Sequence, residues 1–402
     1  KSGTESSMFH EHGLNIEPAS IIKKYTSLPV GAVGGINSPE QVDQAIADGK
    51  IDFAIFGRQM LADPDFTQKC MDGDEAQIRR CLRCYKCFPG SPEEGYDDLP
   101  FTSEQLAVYV GHCTINPTAH LPFDVEQLPP AEKGPQKVLI VGGGIAGIQA
   151  AITAADRGHK VTLAEKSDKL LYFTDVDIDK PDLRNFKDMM IREVKRHDVE
   201  ILMNTEVTPE FIKEFAPDAV ILATGSVPAC PPINGIEHAH QAMSVYDGTC
   251  EPGKKVVMIG GGLVGCETGL YLQKTGHEVT VVEMLDRVAN ESFGMYREAL
   301  VWEMEKNNMT MLPKTKCLEI TPNSVKIENA DGVQELEADT ILYALGMKSV
   351  DYSALKEAAG DASVYVIGDA IHPGKVDQCT RTGYIAALKV GASEESVAYI
   401  QE

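Results

Sequence analysis

The chain has 402 residues, 43% hydrophobic and 24% charged, which excludes disordered and fibrous classes and leaves room for two or three cores of roughly 100 to 200 residues each. Lys and Arg number 37 against 60 Asp and Glu, a net charge of -23, so a phosphate backbone is repelled and no nucleic-acid partner is expected. No apolar run approaches the roughly 20 residues that cross a bilayer, and residues 1–13 are polar rather than signal-like, which points to a soluble cytoplasmic protein with no membrane partner.

The first predicted elements are strands over residues 29–33 (Pro-Val-Gly-Ala-Val) and 51–56 (Ile-Asp-Phe-Ala-Ile-Phe), joined by a helix over 39–48. Each strand runs into a glycine turn, Gly34-Gly35 and Gly57-Arg58. Two parallel strands in ~75 residues cannot cover both faces of a sheet, so this segment reads as one or two βα units of a larger domain. The chain is therefore expected to begin inside that domain or to borrow the rest of it. Next come Cys81-x-x-Cys84-x-x-Cys87 and, after 25 intervening residues that include the acidic stretch 93–98, Cys113. This spacing is too tight for a disulfide framework, and four soft thiolates suit a [4Fe-4S] cluster or a structural zinc. Three cysteines around one short loop with a distant fourth favour the cluster over zinc or free thiols. The other six cysteines carry no metal spacing. A hinge rich in Pro and charge, residues 121–134, follows.

From residue 137 onward the chain repeats itself. A predicted strand over 137–141 leads into Gly142-Gly143-Gly144-Ile145-Ala146-Gly147, and one over 256–259 leads into Gly260-Gly261-Gly262-Leu263-Val264-Gly265. Each loop opens a helix pattern, and then a β-branched strand ends in an acid, Glu165 or Glu283. Gly142 to Glu165 and Gly260 to Glu283 both span 23 positions, and the copies stand 118 apart. Further strands end in Ala223-Thr224-Gly225, in Ala344-Leu345-Gly346 and in Gly368-Asp369-Ala370. Strand, glycine turn and helix in alternation mean parallel sheets covered on both faces. Such a loop lets backbone N–H groups approach a pyrophosphate while the acid accepts from a ribose diol, so two dinucleotide sites are expected. Glu283 repels a 2′-phosphate, favouring NADH over NADPH; Arg287, four residues on, reads as a solvated surface arginine. Two dinucleotide units beside four thiolates point to electron transfer. No nucleophile elbow, HExxH helix or P-loop lysine is present.

In these motifs the chain resembles the large three-domain members of the old-yellow-enzyme family, the branch of 2,4-dienoyl-CoA reductase, 2-enoate reductase and trimethylamine dehydrogenase. The resemblance covers essentially the whole chain. It implies an α/β architecture: the C-terminal end of a (β/α)8 barrel, a cysteine-rich cluster loop, and two doubly wound dinucleotide-binding domains, one inserted in the other. The implied divisions are an FMN-barrel part over 1–75, a cluster segment and linker over 76–134, an FAD domain over 135–235 and 350–402, and an NAD(H) domain over 236–349. By the same resemblance, FAD falls to Gly142, Gly144, Ala146, Gly147, Glu165, Gly225, Gly368 and Asp369. NADH falls to Gly260, Gly262, Gly265 and Glu283, beside Glu267. The FMN phosphate falls to Gly34, Gly35, Gly57 and Arg58, and the [4Fe-4S] cluster to Cys81, Cys84, Cys87 and Cys113. Barrel phosphate sites favour the loops after the last two strands.

Three features depart from the family pattern. The stretch between Cys87 and Cys113 is longer, the Gly-Gly pair after Glu165 is replaced by Lys169-Leu170-Leu171-Tyr172, and about three quarters of a barrel, with the substrate pocket and catalytic acid, does not precede residue 29. No catalytic residue is therefore named. The implied activity carries electrons from NADH through FAD, the cluster and FMN to an activated C=C bond of an enoyl-CoA, enoate or enone. The alternatives are an electron-delivery reductase subunit and an amine dehydrogenase of the same fold. A homo-oligomer is compatible with the sequence.

Overall fold

The computed structural model describes residues 6–87, 112–119, 131–172, 180–292 and 294–393. The acidic stretch 93–98 and hinge residues 121–130 lie outside the described residues. The first segment forms α1 (Ile16–Lys23), β1 (Gly31–Ala32), α2 (Pro39–Ala47), β2 (Phe53–Ala54), α3 (Arg58–Ala62) and α4 (Phe66–Asp72). Helix α2 starts where the sequence says it should: Ser38 accepts from the Gln41 N–H, and Pro39 occupies the first turn. Strands β1 and β2 pair in parallel over two residues each, shorter than the five and six expected. Among the described residues they have no third strand to ladder with, and Val33, Phe53 and Ile55 stay close to half exposed.

Beyond the cysteines, β3 (Lys137–Val141), β4 (Lys160–Ala164), β5 (Val199–Leu202), β6 (Ala219–Leu222) and β17 (Ser363–Val366) make a parallel sheet in the order β17-β6-β3-β4-β5. Its helices are α5 (Ile145–Asp156), α6 (Pro181–Arg196), α7 (Pro209–Phe215) and α11 (Val376–Lys389). In the central strand Val138, Leu139 and Ile140 are all 0% exposed. A continuous apolar run is what burial on both faces demands, and each such side chain contributes about 1.5–3 kcal/mol.

A second parallel sheet falls wholly between β6 and β17 in the chain. It consists of β8 (His240–Gln241), β9 (Lys255–Ile259), β10 (Glu278–Val282), β11 (Thr310–Leu312) and β15 (Thr340–Tyr343), ordered β11-β10-β9-β15-β8. Its helices are α8 (Leu263–Lys274) and α9 (Gly294–Lys306), and α10 (Ser353–Ala358) follows it. In both sheets the strand before the glycine loop is central, with the acid-bearing strand on one side and the strand ending in a small-residue turn on the other. The repeat in sequence is thus a repeat in topology, and the α/β class is the one expected. Two antiparallel features were not legible: the sheet β12 (Lys316–Thr321), β13 (Ser324–Asn329), β14 (Gly332–Glu337), and the pair β7 (Ser226–Pro228) with β16 (Met347–Ser349), where the chain leaves the first unit and returns to it.

The cysteine segment is wedged between the two units. Leu82 and Ile115 belong to the apolar core of the first sheet, whereas Tyr85 belongs to that of the second. No helix among the described residues is long and apolar enough to cross a membrane.

Candidate functional site

Cys81, Cys84, Cys87 and Cys113 line one cavity, together with Arg58, Leu82, Tyr85 and Ile115. The loop coils because Arg83 and Tyr85 adopt left-handed φ of 55° and 62°, conformations costly for side chains of this size. Buried contacts hold the loop there: the Gln59 side chain accepts the Cys81 N–H at 2.9 Å, and the Arg83 N–H donates to Cys81 Sγ at 3.4 Å. Cys84 Sγ lies 3.1 Å from Thr114 Oγ1. Burial pushes the thiols of Cys81 and Cys87 up to about 12 and that of Cys113 up to about 11. Such thiols ligate only when a bound cation offsets the thiolate charge. No three His, Cys, Asp or Glu side chains among the described residues are grouped to hold a single metal ion; the four soft donors instead surround a shared space.

A larger cavity of about 370 Å³ adjoins this one at the C-terminal ends of β1 and β2, lined by Gly34, Gly35, Gly57, Arg58, Arg83 and Tyr85 among others. Gly34 and Gly35 have φ of 136° and 64°, which favours glycine. Arg58 donates from Nη2 to the Ser6 carbonyl and lies over the Tyr85 ring at 4.9 Å, while its Nη1 is buried without a partner. Arg58 thus brings a guanidinium with one unpartnered buried N–H to the lining of a glycine-rich cavity, a donor set suited to an anion. Arg58, Cys81, Tyr85 and Cys87 line both cavities, so a single layer of side chains separates the anion pocket from the thiols.

In the first nucleotide unit, the Glu165 carboxylate accepts from the Gly143 N–H at 2.7 Å and the Ser167 N–H at 2.8 Å. A Cβ on Gly147 would stand 1.9 Å from the Gly142 carbonyl, so only glycine fits, whereas a Cβ on Gly144 would meet nothing within 4 Å. That open side is where a pyrophosphate needs to approach the N-terminus of α5. Leu171 takes the left-handed turn (φ 54°) although the glycine pair is missing there. Gly368 abuts Ala146, so the first glycine loop and the Gly368-Asp369-Ala370 turn meet. Asp369 is fixed by Ser226 Oγ at 2.7 Å and the Gly374 N–H at 3.1 Å. Beside Gly225, Thr224 Oγ1 is buried without a partner.

The second unit repeats this arrangement. Glu283 accepts from the Gly261 N–H at 2.7 Å and the Leu285 N–H at 2.8 Å. A Cβ on Gly265 would stand 1.9 Å from the Gly260 carbonyl. Glu267 joins the units: Lys180 Nζ reaches Oε2 at 2.5 Å and Tyr296 donates to Oε1 at 2.6 Å.

Helix α11 ties the thiol loops to the first unit. Asp377 pairs with Lys86 at 2.8 Å, Thr380 donates to the Thr114 carbonyl at 2.8 Å, and Arg381 donates to His112 at 3.0 Å. The glycines, acids and cysteines are legible in the sequence; Tyr85, Arg83 and Asp182, the α6 carboxylate to which Arg83 Nη2 donates at 2.9 Å, are not. Only the placing of a base and an aromatic inside the cysteine loop hinted at the first two.

Twin nucleotide loops, a glycine-lined anion pocket and a four-thiol cavity in direct succession define a flavin- and pyridine-nucleotide-type redox architecture. The chain belongs to the pyridine nucleotide-disulphide oxidoreductase family, whose profile matches residues 119–215 and 212–383, and residues 3–77 match the NADH:flavin oxidoreductase / NADH oxidase family. It is 35% identical over 396 residues to an NADH oxidase of Thermoanaerobacter brockii, covering 94% of this chain and 58% of that protein. Against a cinnamate reductase of Clostridium sporogenes it is 37% identical over 284 residues, covering 69% of this chain and 40% of that one. The solved structure of a 2-naphthoyl-CoA reductase complex superposes with a TM-score of 0.85 at 28% identity, over 96% of this chain and 57% of that one. The chain thus spans little more than half the length of such relatives. Flavin and pyridine nucleotide, expected from the glycine loops, are the cofactors these family descriptions carry.

Proposed function

We propose that this chain is the electron-supplying part of an NADH-dependent flavin and iron–sulfur ene-reductase acting on an activated C=C bond of a small unsaturated carbonyl compound, in the class of an enoate or enoyl-CoA. On this reading residues 1–75 belong to the FMN barrel, 76–134 carry the cluster, 135–235 with 350–402 bind FAD, and 236–349 bind NADH. When bound, these groups supply hydride and single-electron transfer in the order NADH, FAD, [4Fe-4S], FMN. The observation that carries the proposal is the shared wall of Arg58, Cys81, Tyr85 and Cys87 between the anion pocket and the thiol cavity, with α11 fastening that cavity to the flavin motifs. Two relatives whose names specify substrates, the cinnamate and 2-naphthoyl-CoA reductases, support the substrate class.

The chain's own residues bind and orient. Glu165 and Glu283 have lone pairs left to accept from ribose hydroxyls, Asp369 is held by Ser226 and the Gly374 N–H, and Arg58 keeps a buried Nη1 without a partner that a phosphate could satisfy. The four cysteines supply the soft donor set a cluster requires, and a thiolate-held cluster suits a reducing cytoplasm. Anaerobic purification followed by iron, flavin and stopped-flow measurements tests the reading. NADH should bleach the FAD and then the FMN, and Cys113→Ser should lose iron while retaining FAD. Bleaching of FAD that never spreads to FMN overturns the relay.

A further inference from the structure

The two glycine loops diverge at their third glycine. The register of the repeat holds through the following turn: Leu171 and Ala289, 118 positions apart, both take left-handed φ (54° and 50°) and both donate their N–H to the middle glycine's carbonyl. Two residues later the copies carry Phe173 and Glu291. In the first unit a Cβ on Gly144 would meet nothing within 4 Å, but in the second a Cβ on Gly262 would meet Glu291 Oε1 at 2.8 Å. The same oxygen accepts the Leu263 N–H at 2.5 Å, the first free donor of the twelve-residue helix α8. Glu291 is also gripped from the other unit, because Lys375 Nζ donates to its carbonyl at 2.6 Å. Lys375 directly precedes α11.

On the reading that this loop takes NADH, we propose that Glu291 is the affinity determinant of the second nucleotide site. Its carboxylate satisfies the helix N-terminus that a pyrophosphate needs, so the incoming pyridine nucleotide displaces it. Two like charges cannot share the N–H groups, and the Lys375 contact holds the segment in place. In the first copy the matching sequence position is Phe173, which carries no carboxylate to compete with a nucleotide. The difference suits a resident cofactor in one unit and an exchanging one in the other.

Glu291 is solvent-exposed, so its removal should leave the fold intact, and melting temperatures of the variants check this. The test is isothermal titration of the oxidised, FAD-loaded full chain with NAD+, which shares the pyrophosphate and transfers no hydride to the flavin. Glu291→Ala should bind NAD+ about tenfold more tightly than the wild type, the worth of one hydrogen bond to a charged group. Glu291→Gln, which keeps the shape but not the charge, should also bind more tightly. Equal or weaker binding by Glu291→Ala overturns the role of Glu291 and leaves the NADH site standing. Failure of both wild type and variants to bind NAD+ overturns the NADH site itself.

Discussion

At Glu283 both carboxylate oxygens accept backbone N–H groups, from Gly261 and Leu285, in a side chain only 8% exposed. Those bonds fix its position beside the glycine loop, and an incoming 2′-phosphate would have to sit against a buried negative charge, which costs several kcal/mol. Arg287 does not offer obvious relief, since its Nε donates to Asn290 at 2.5 Å. Nicotinamide dinucleotide should therefore bind at least about tenfold more tightly than its 2′-phosphorylated form, a difference of roughly 1.4 kcal/mol. Glu283→Ala should weaken NAD+ binding and bring the NAD+ to NADP+ ratio toward one, as read by titration with each nucleotide. Residues of this kind were legible because their chemistry fixes both type and spacing. Arg83 was not: its partner Asp182 lies 99 positions away, and no local pattern links them.

Among the elements, the strand–loop–helix units could be read from sequence to within a residue or two, since a run such as Val138-Leu139-Ile140 followed by glycines has few other uses. The β12–β13–β14 sheet could not, because β14 exposes Gln334 on one face and Glu335 and Glu337 on the other and so lacks the apolar alternation that marks a strand. Strands β1 and β2 erred the other way: their apolar run is longer than the ladder they form. The glycine loop offers a test that separates folding from binding. In Gly147→Ala the new Cβ would collide with the Gly142 carbonyl, 1.9 Å away; the helix must shift, costing about 1–3 kcal/mol, and FAD should be lost together with thermal stability. In Gly144→Ala the new methyl would have no neighbour within 4 Å. That variant should melt like the wild type yet retain little FAD, as measured by released flavin per chain.

Across the whole molecule, one buried network joins parts that are distant in sequence. Arg83 donates from Nε and Nη2 to Asp182 at 3.1 and 2.9 Å, and from Nη1 to Ser6 and to the His10 carbonyl. The His12 ring lies between Asp182 and Gly35, with Nε2 2.9 Å from Asp182 Oδ1 and Nδ1 2.6 Å from the Gly35 carbonyl. The cysteine loop, the anion pocket and helix α6 of the first nucleotide unit are thereby clamped through one carboxylate. Burial pushes the Asp182 carboxyl up, but its hydrogen bond from His12 and the Arg83 charge outweigh burial and hold it below the usual carboxylate range. A carboxyl lower in the folded than in the unfolded chain stabilises fully above the unfolded value of about 3.9, and that contribution is lost as the pH falls through the folded value. Asp182→Asn leaves Arg83 buried without its counter-ion, which costs about 3–5 kcal/mol at pH 7. The deficit should shrink as the pH falls below about 3.9, where the unfolded chain's carboxyl takes up its proton, and vanish below the lower folded value, where the native carboxylate does. Urea unfolding of both proteins at neutral and acid pH, followed by the fluorescence of Trp302 and by circular dichroism, measures the difference. A deficit that stays constant across that range would mean the clamp does not depend on the charge of Asp182.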